Sequence, residues 1–485
     1  MKASIRASTG IAGLDEILLG GLPAGRMYLV EGDPGTGKTT IGLQFLLDGV
    51  RAGERCLYIT LSETVDELAE VAESHGWTLD GIELYELQSE EHKLDPNEQY
   101  TIFHPGEVEL GEMIDRVFAQ IERVRPGRVV FDSLSEMRLL AREPLRFRRQ
   151  ILAIKQFLSH RDCTVLMLDD HTIAGQDLQL QTICHGVVLL RIQCFDVGAP
   201  RRKLRVVKMR GIPFREGDHD FTVRHGGAVV FPRLVGAAER GGHNHEVISS
   251  GCLELDSLLD GGLHRGASVL LLGPSGCGKS TISASIASAA AARGENAAIF
   301  VFEDARGAFL RHAESMKIDI ERHLEAGRIT VQQIDPADVS SGELSFEVLD
   351  AVENKNARVV IIDSLNGYLC GMATERSLML HMHELIMYLD RRNVLSILIV
   401  AQRGVIGPNV HSPIDVMYLA DTVILFRHFE AAGEARQAIT VIKKRGGPHE
   451  TTIREIRFTP EGVRIGEPLR DIDGILSGLP RAKSE

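Results

Sequence analysis

Ser8 to Thr40 reads STGIAGLDEILLGGLPAGRMYLVEGDPGTGKTT, and Ser249 to Thr281 reads SSGCLELDSLLDGGLHRGASVLLLGPSGCGKST. Laid over one another without a gap, Gly10 falls on Gly251, Asp15 on Asp256, Gly21 on Gly262 and Lys38 on Lys279, at one offset of 241 residues. A constant offset marks a duplication, and its domain-sized period excludes a short-repeat solenoid. Length alone, 485 residues at ~150 per domain, suggests about three domains. The repeat replaces that prior with two homologous domains. The polar, Gly-rich stretch from Ala237 to Glu246, AAERGGHNHE, buries little apolar surface and marks the boundary. The domains are expected at 1–240 and 247–485, joined by a linker at 241–246.

Outward from the two copies, short β-branched runs alternate with helical patterns. RMYLVEG, CLYITLSE, RVVFDSL and CTVLMLD in the first half have counterparts SVLLLGP, AAIFVFED, RVVIIDSL and SILIVAQ in the second. Strands apolar on both faces and separated by helices indicate a mostly parallel sheet covered by helices on both sides. The fold class is therefore α/β, twice over, each half a P-loop nucleotide-binding domain.

Composition narrows the function. The formal charge is −13 at pH 7, so the surface as a whole repels nucleic acid and anionic membrane. Aromatic residues make up 5%, with Trp77 the one tryptophan, too few for base-stacking platforms. The seven cysteines include no C-x-x-C pair, which speaks against a disulfide framework and a zinc site. The first twenty residues lack a signal-peptide core, and no apolar run nears the ~20 residues of a membrane span. A reducing cytoplasm is the expected location.

Gly32-Asp33-Pro34-Gly35-Thr36-Gly37-Lys38-Thr39 and Gly273-Pro274-Ser275-Gly276-Cys277-Gly278-Lys279-Ser280 both fit G-x-x-x-x-G-K-[ST], each after a strand and opening a helix. Glycines let successive N–H groups converge on phosphates, and the helix start adds partial positive charge. With Thr40 and Thr281 these residues form the expected ATP sites. Lys38 and Lys279 bridge the β- and γ-phosphates, while Thr39 and Ser280 offer a hydroxyl to Mg2+. Asp132 and Asp363 end apolar strands at the same sheet edge and supply the metal's carboxylate. For the acid that polarises water, the candidates are Glu63 after CLYITL, and Glu303 and Asp304 after AAIFVF. Adjacent strand residues point to opposite faces, so Glu303 and Asp304 are not interchangeable.

These residues resemble the KaiC family of RecA-like ATPases over nearly the whole chain. The resemblance rests on SSG…LD…GG before each P-loop, the acids after the next strand, the DS after each apolar strand, and a late K-x-R-G. It implies a double-ring homohexamer with ATP held between subunits. The late motif is Lys208-Met209-Arg210-Gly211 and Lys443-Lys444-Arg445-Gly446. Pattern alone reads as a solvated basic edge. The resemblance implies that Lys208, Arg210, Lys443 and Arg445 reach the neighbouring subunit's γ-phosphate as trans-acting fingers. It also puts Ser74, Met316 and His449 near nucleotide.

Three departures retune that expectation. Met417 and Tyr418 stand where clock members carry an adjacent Ser-Thr phosphoacceptor pair, which disfavours clock-type autophosphorylation. The chain ends at Glu485, without most of the long partner-recruiting tail of clock members. Ser62 replaces a customary acid. The leading expectation is a Mg2+-dependent, hexameric ATPase acting as a slow switch or timer. Alternatives are an autokinase using Glu303 with Ser412 or Thr422 as acceptor, a recombinase- or helicase-like DNA-binding ATPase, and a scaffold that binds ATP only to assemble. The basic run Arg201-Arg202-Lys203-Leu204-Arg205 reads equally as a nucleic-acid patch or an interface hairpin.

Overall fold

The signature ahead of each P-loop is a capped turn. Ser8 Oγ donates to Asp15 Oδ2 (2.8 Å) and the Thr9 amide to Asp15 Oδ1 (2.8 Å), at the start of the short helix Ala12–Ile17. The second copy repeats this with Ser249 and the Ser250 amide on Asp256, at 2.5 and 2.8 Å. The aspartate's two oxygens tie the chain that precedes the helix back onto its first turn. Here the repeat is visible as chemistry.

The computed structural model describes residues 5–87, 105–141, 143–159, 161–170, 178–194, 198–234, 246–370, 375–404, 416–459, 462–477 and 481–482. It divides into two compact units, one drawn from Met1–Asp196 and Pro200–Arg233, the other chiefly from Leu234–Glu485. The expected linker, apart from Glu246, lies outside the described residues.

In the first unit the main-sheet strands are β1 Met27–Gly32, β2 Cys56–Thr60, β3 Ile82–Glu86, β4 Arg128–Asp132, β5 Thr164–Asp170, β6 Gly186–Gln193, β7 Arg201–Met209, β8 Asp218–Arg224 and β9 Gly227–Phe231. They form a nine-stranded sheet in the order β9-β8-β7-β6-β1-β5-β4-β2-β3. From β6 to β3 all pairs are parallel, whereas β6, β7, β8 and β9 pair antiparallel. The second unit repeats this with β10 Ser268–Pro274, β11 Asn296–Val301, β12 Ile329–Gln333, β13 Ala357–Asp363, β14 Leu395–Gln402, β15 Thr422–Ala431, β16 Glu434–Lys444, β17 Arg454–Thr459 and β18 Gly462–Pro468, ordered β12-β11-β13-β14-β10-β15-β16-β17-β18.

Period-two alternation explains the three layers. Tyr28 and Val30 face the P-loop helix Lys38–Arg51 with Ile41, Phe45 and Leu46, whereas Met27 and Leu29 face the other side with Ile114, Ile151 and Ile154. Val269 and Leu271 against Leu270 and Leu272 repeat the division in the second unit. Parallel strands buried on both faces read as continuous apolar runs. The two tandem RecA-like α/β domains expected from sequence are present. Among the described residues no helix is long and apolar enough to cross a membrane.

Candidate active sites

β1 ends at Gly32 and the chain turns before the helix that begins at Lys38. Gly35 and Gly37 take φ of +77° and +99°, which glycine adopts without the Cβ penalty. The buried Lys38 ammonium donates to Gly32 O (2.8 Å) and Asp33 O (3.1 Å), and pairs with Asp170 Oδ1 at 2.8 Å. Thr39 Oγ1 donates to Asp132 Oδ2 (2.8 Å), and so does the buried Tyr58 hydroxyl (2.5 Å). Burial pushes the Asp132 carboxyl up, against the hydrogen bonds from Tyr58 and Thr39 that favour its charged form.

In the second unit Lys279 donates to Gly273 O (2.9 Å) and Pro274 O (2.6 Å), with Cys277 Sγ at 3.6 Å. Ser280 hydrogen-bonds Asp363, whose carboxyl burial lifts to about 6, helped by the nearby Asp304 and Glu303 charges. Asp363 Oδ2 is buried without a hydrogen-bond partner. The repeat supplies the reason: the residue at the Tyr58 position is Ile299, which has no hydroxyl.

Glu63 carries a buried Oε2 without a partner, and its carboxyl is raised by burial and then by Asp132. Glu303 Oε1 accepts from Ser364 Oγ at 2.9 Å, and Asp304 is exposed. One sequence-level argument needs correction. The opposite-face rule for Glu303 and Asp304 does not apply, because β2 stops at Thr60 and β11 at Val301. In the first unit Thr60 Oγ1 bonds both the amide (3.0 Å) and the carbonyl (2.6 Å) of Glu63, closing a turn. This local side-chain turn ends the pleat.

A carboxylate oxygen and a hydroxyl at each P-loop are hard oxygen donors, as Mg2+ requires, and the unpartnered buried Asp363 Oδ2 is an acceptor needing a cation or donor. Among the described residues no three His, Cys, Asp or Glu side chains converge as a self-sufficient metal centre. A Mg2+ shared with substrate phosphates needs only one or two carboxylates.

The K-x-R-G residues run away from their own P-loops, the lysines level with mid-strand and the arginines with the far end of the P-loop strand. Lys208 pairs across to Val187, which is level with Leu29, and the Arg210 amide donates to His185 O, which is level with Met27. Five residues of strand, about 17 Å, separate that level from Gly32. Lys208 Nζ donates to Gln181 O and Arg210 to Thr182 O (2.8 Å). In the second unit Lys443 donates to Met417 O (3.0 Å) and Ala420 O (2.6 Å), and Arg445 to Tyr418 O (3.4 Å). Arg445 is level with Ser268, the first residue of β10. Burial and then the adjacent arginine hold both Lys208 and Lys443 below the usual lysine range.

The remaining candidates fall as follows. Ser74 is exposed and donates to Val71 O (2.7 Å); Met316 caps the helix Arg306–Ser315; His449 precedes Glu450, whose amide bonds Leu258 O. Met417 and Tyr418 are exposed at 37% and 56%, Thr422 is buried at 3%, and Ser412 lies outside the described residues. In the basic run, Lys203 pairs with Asp220 (2.5 Å) and Arg205 with Asp218 (2.6 Å), while Arg202 donates to the P-loop carbonyl of Gly35 (3.4 Å). Internal carboxylates thus neutralise much of that patch.

Sequence reasoning missed Tyr58, Asp170, and two histidines. His75 lies 3.4 Å from Thr40 Oγ1, and His312 lies 2.9 Å from Thr281 Oγ1. The two histidines come from non-equivalent repeat positions, so alignment of the copies does not find them. Asp170 had a signal, since it ends an apolar strand as Asp132 does.

A family model described as "ATPase: KaiC" matches residues 7–235 and again 248–470. The chain is 26% identical to the "Circadian clock protein KaiC3" of Synechocystis sp., an alignment covering 98% of this chain and 94% of the relative. It is 29% identical to the "Circadian clock oscillator protein KaiC" of Synechococcus elongatus, covering 99% and 92%. The Prochlorococcus marinus protein of that same description is 28% identical, covering 97% and 93%.

Proposed function

The chain belongs to the KaiC family of ATPases, and from that premise we propose that it binds and hydrolyses ATP with Mg2+ at two sites per chain, in a double-ring homohexamer. Each site is completed by the Lys-x-Arg pair of the adjoining subunit. The observation that carries this reading is the separation of parts. Each phosphate loop has its lysine, hydroxyl and aspartate together, whereas Lys208 and Lys443 lie three residues of strand, about 10 Å, below that level and Arg210 and Arg445 five residues, about 17 Å. Cations set back from their own loop suit the site of an adjoining copy.

The residues divide the chemistry. The loop amides and Lys38 or Lys279 bind and orient the triphosphate. Thr39 with Asp132, and Ser280 with Asp363, hold Mg2+, which when bound neutralises charge on the phosphates. Glu63 polarises the attacking water at the first site and Glu303, with Asp304 nearby, at the second; burial raises the Glu63 carboxyl, which makes it a better proton acceptor. The incoming arginine stabilises charge in the transition state. Turnover therefore waits on assembly, which suits a slow switch or timer. Cys56, Cys163, Cys184, Cys194, Cys252 and Cys277 are free thiols, which fits a cytoplasmic home.

The autokinase and DNA-binding alternatives have less support. Met417 offers no hydroxyl, Thr422 is buried, and the Arg201–Arg205 run is largely paired internally. The test is mass by light scattering with and without Mg-ATP, paired with a turnover assay. Mass near six times 53.3 kDa that depends on nucleotide is expected. Lys38→Ala and Lys279→Ala should lose nucleotide, whereas Glu63→Gln and Glu303→Gln should keep it and hydrolyse slowly. A monomer with full turnover would overturn the proposal.

A further inference from the structure

The two P-loop lysines differ in how many of their hydrogen atoms are already engaged. An ammonium has three N–H donors. Lys38 directs all three at the protein: Gly32 O at 2.8 Å, Asp33 O at 3.1 Å and Asp170 Oδ1 at 2.8 Å. Lys279 has two backbone carbonyls, Gly273 O and Pro274 O, and then only the Cys277 sulfur at 3.6 Å, a weak acceptor. The register gives the cause. Asp170 lies beside Gly32 in the β1–β5 pair, and the residue beside Gly273 in the β10–β14 pair is Ala401.

Asp170 is positioned for this contact. Ser135 Oγ donates to Asp170 Oδ2 (3.0 Å) and to Asp169 Oδ1 (3.2 Å), and Arg138 pairs with Asp169 behind it. Although burial works the other way, the Lys38 and Ser135 hydrogen bonds and the Lys38 charge hold the Asp170 carboxyl below its ordinary range, so it is an anion at neutral pH. At Ala401 the second unit instead fixes backbone alone, through Asn366, which donates to Ala401 O and accepts from its amide, both at 2.8 Å.

We propose that Asp170 is a built-in competitor of the terminal phosphate for Lys38, so that the first site disfavours ATP relative to ADP while the second does not. This rests on reading the P-loops as ATP sites. A γ-phosphate drawing on Lys38 must displace the Asp170 carboxylate and then remain near it, like charge beside like charge. ADP draws on Lys38 through its β-phosphate alone, so the ammonium gives up fewer of its protein partners and can keep Asp170. The side chain of Asp170 is 38% exposed, so solvent screens the pair and the effect is of the size of a surface ion pair, about fivefold in a dissociation constant.

The experiment titrates fluorescent mant-ATP and mant-ADP with Mg2+ into the full chain carrying Lys279→Ala, which leaves the first site to read. Adding Asp170→Ala should raise the Kd(ADP)/Kd(ATP) ratio about fivefold. Asp170→Asn, nearly isosteric, should move it the same way. The reciprocal transplant, Ala401→Asp in the Lys38→Ala chain, should lower the ratio at the second site. An unchanged ratio in both Asp170 variants, or equal weakening of both nucleotides as a merely structural role would produce, overturns the proposal. If the Lys279→Ala chain takes up nucleotide with a normal Kd and Lys38→Ala in that chain does not abolish it, the P-loop reading itself fails.

Discussion

Pairing two crippled subunits tests the trans arrangement directly. Arg210→Ala removes the cation offered to a neighbour, and Glu63→Gln removes the acid of the chain's own first site; both changes leave the phosphate loop intact. The second site is silenced throughout with Glu303→Gln and Asp304→Asn, which leaves Lys279 to hold nucleotide. Arg210 sits level with Met27, about 17 Å down the strand from Gly32, so it cannot serve its own loop. An arginine finger is worth about a thousandfold or more in kcat, so each variant alone should be nearly inactive. Mixed one to one in a ring, an interface is productive when an intact Glu63 meets an intact Arg210. That combination occurs at about a quarter of interfaces, so turnover should recover to about a quarter of the first-site rate. The assay is phosphate release after subunit exchange, with exchange verified by energy transfer between labelled subunits. Exchange without recovery would refute the geometry, because it would mean that acid and arginine must belong to one chain.

Three further outcomes follow from single contacts. A Cβ on Gly278 would lie 1.8 Å from the Phe458 ring at φ +89°, whereas one on Gly276 meets nothing within 4 Å; Gly278→Ala should cost about 2 kcal/mol or more in denaturant melts and Gly276→Ala about 1 kcal/mol. Tyr58→Phe deletes a hydrogen bond that lowers the Asp132 carboxyl, so the acid limb of first-site nucleotide binding should shift to higher pH, read by titrations across pH 4–7. His185 is held down to about 4 by burial and then the Lys155, Arg26 and Arg210 charges, against an ordinary 6.5. The unfolded chain therefore takes up that proton first, and stability should fall as pH drops from 6.5 towards 4, by about 1 kcal/mol after discounting for partial exposure. Melts of His185→Gln should show a flatter profile over that window.

What the sequence discloses here is whatever a short segment determines by itself. The P-loops and the strand-end Asp132 and Asp363 are each fixed by a few contiguous residues and were readable, whereas the Ser-to-Asp contacts ahead of each loop were visible only as repeated letters. Strand length was less so, because Thr60 folds its hydroxyl onto Glu63 and ends β2 where composition would continue it. Tyr58 on Asp132, Asp170 on Lys38 and His312 on Thr281 join residues from different elements, 74, 132 and 31 positions apart. No periodicity encodes such meetings. They follow from sheet register, and register is set by packing of whole strands. The antiparallel β6–β9 extension was likewise unread, although it is what carries Lys208 and Arg210 back from the loop end of the sheet.

That extension sets where each late Lys-x-Arg pair lies relative to its own phosphate loop. A parallel strand delivers its C-terminal residues to the edge where phosphate loops lie, so any cation at the end of such a strand would act on its own site. An antiparallel neighbour reverses this: β7 and β16 begin near the loops, where Arg202 and Gln437 touch Gly35 O and Gly276 O, and run away from them through Lys208 and Lys443 towards Arg210 and Arg445. One strand thus steadies the loop of its own unit with its first residues and presents cations elsewhere with its last. Because both units keep that topology, the late Lys-x-Arg pair has the same placement in both. The differences are confined to the side chains around the lysine and aspartate: Tyr58 against Ile299, Asp170 against Ala401, Thr36 against Cys277. Duplication fixed the geometry, and these substitutions are where the surroundings of the two lysines and aspartates diverge.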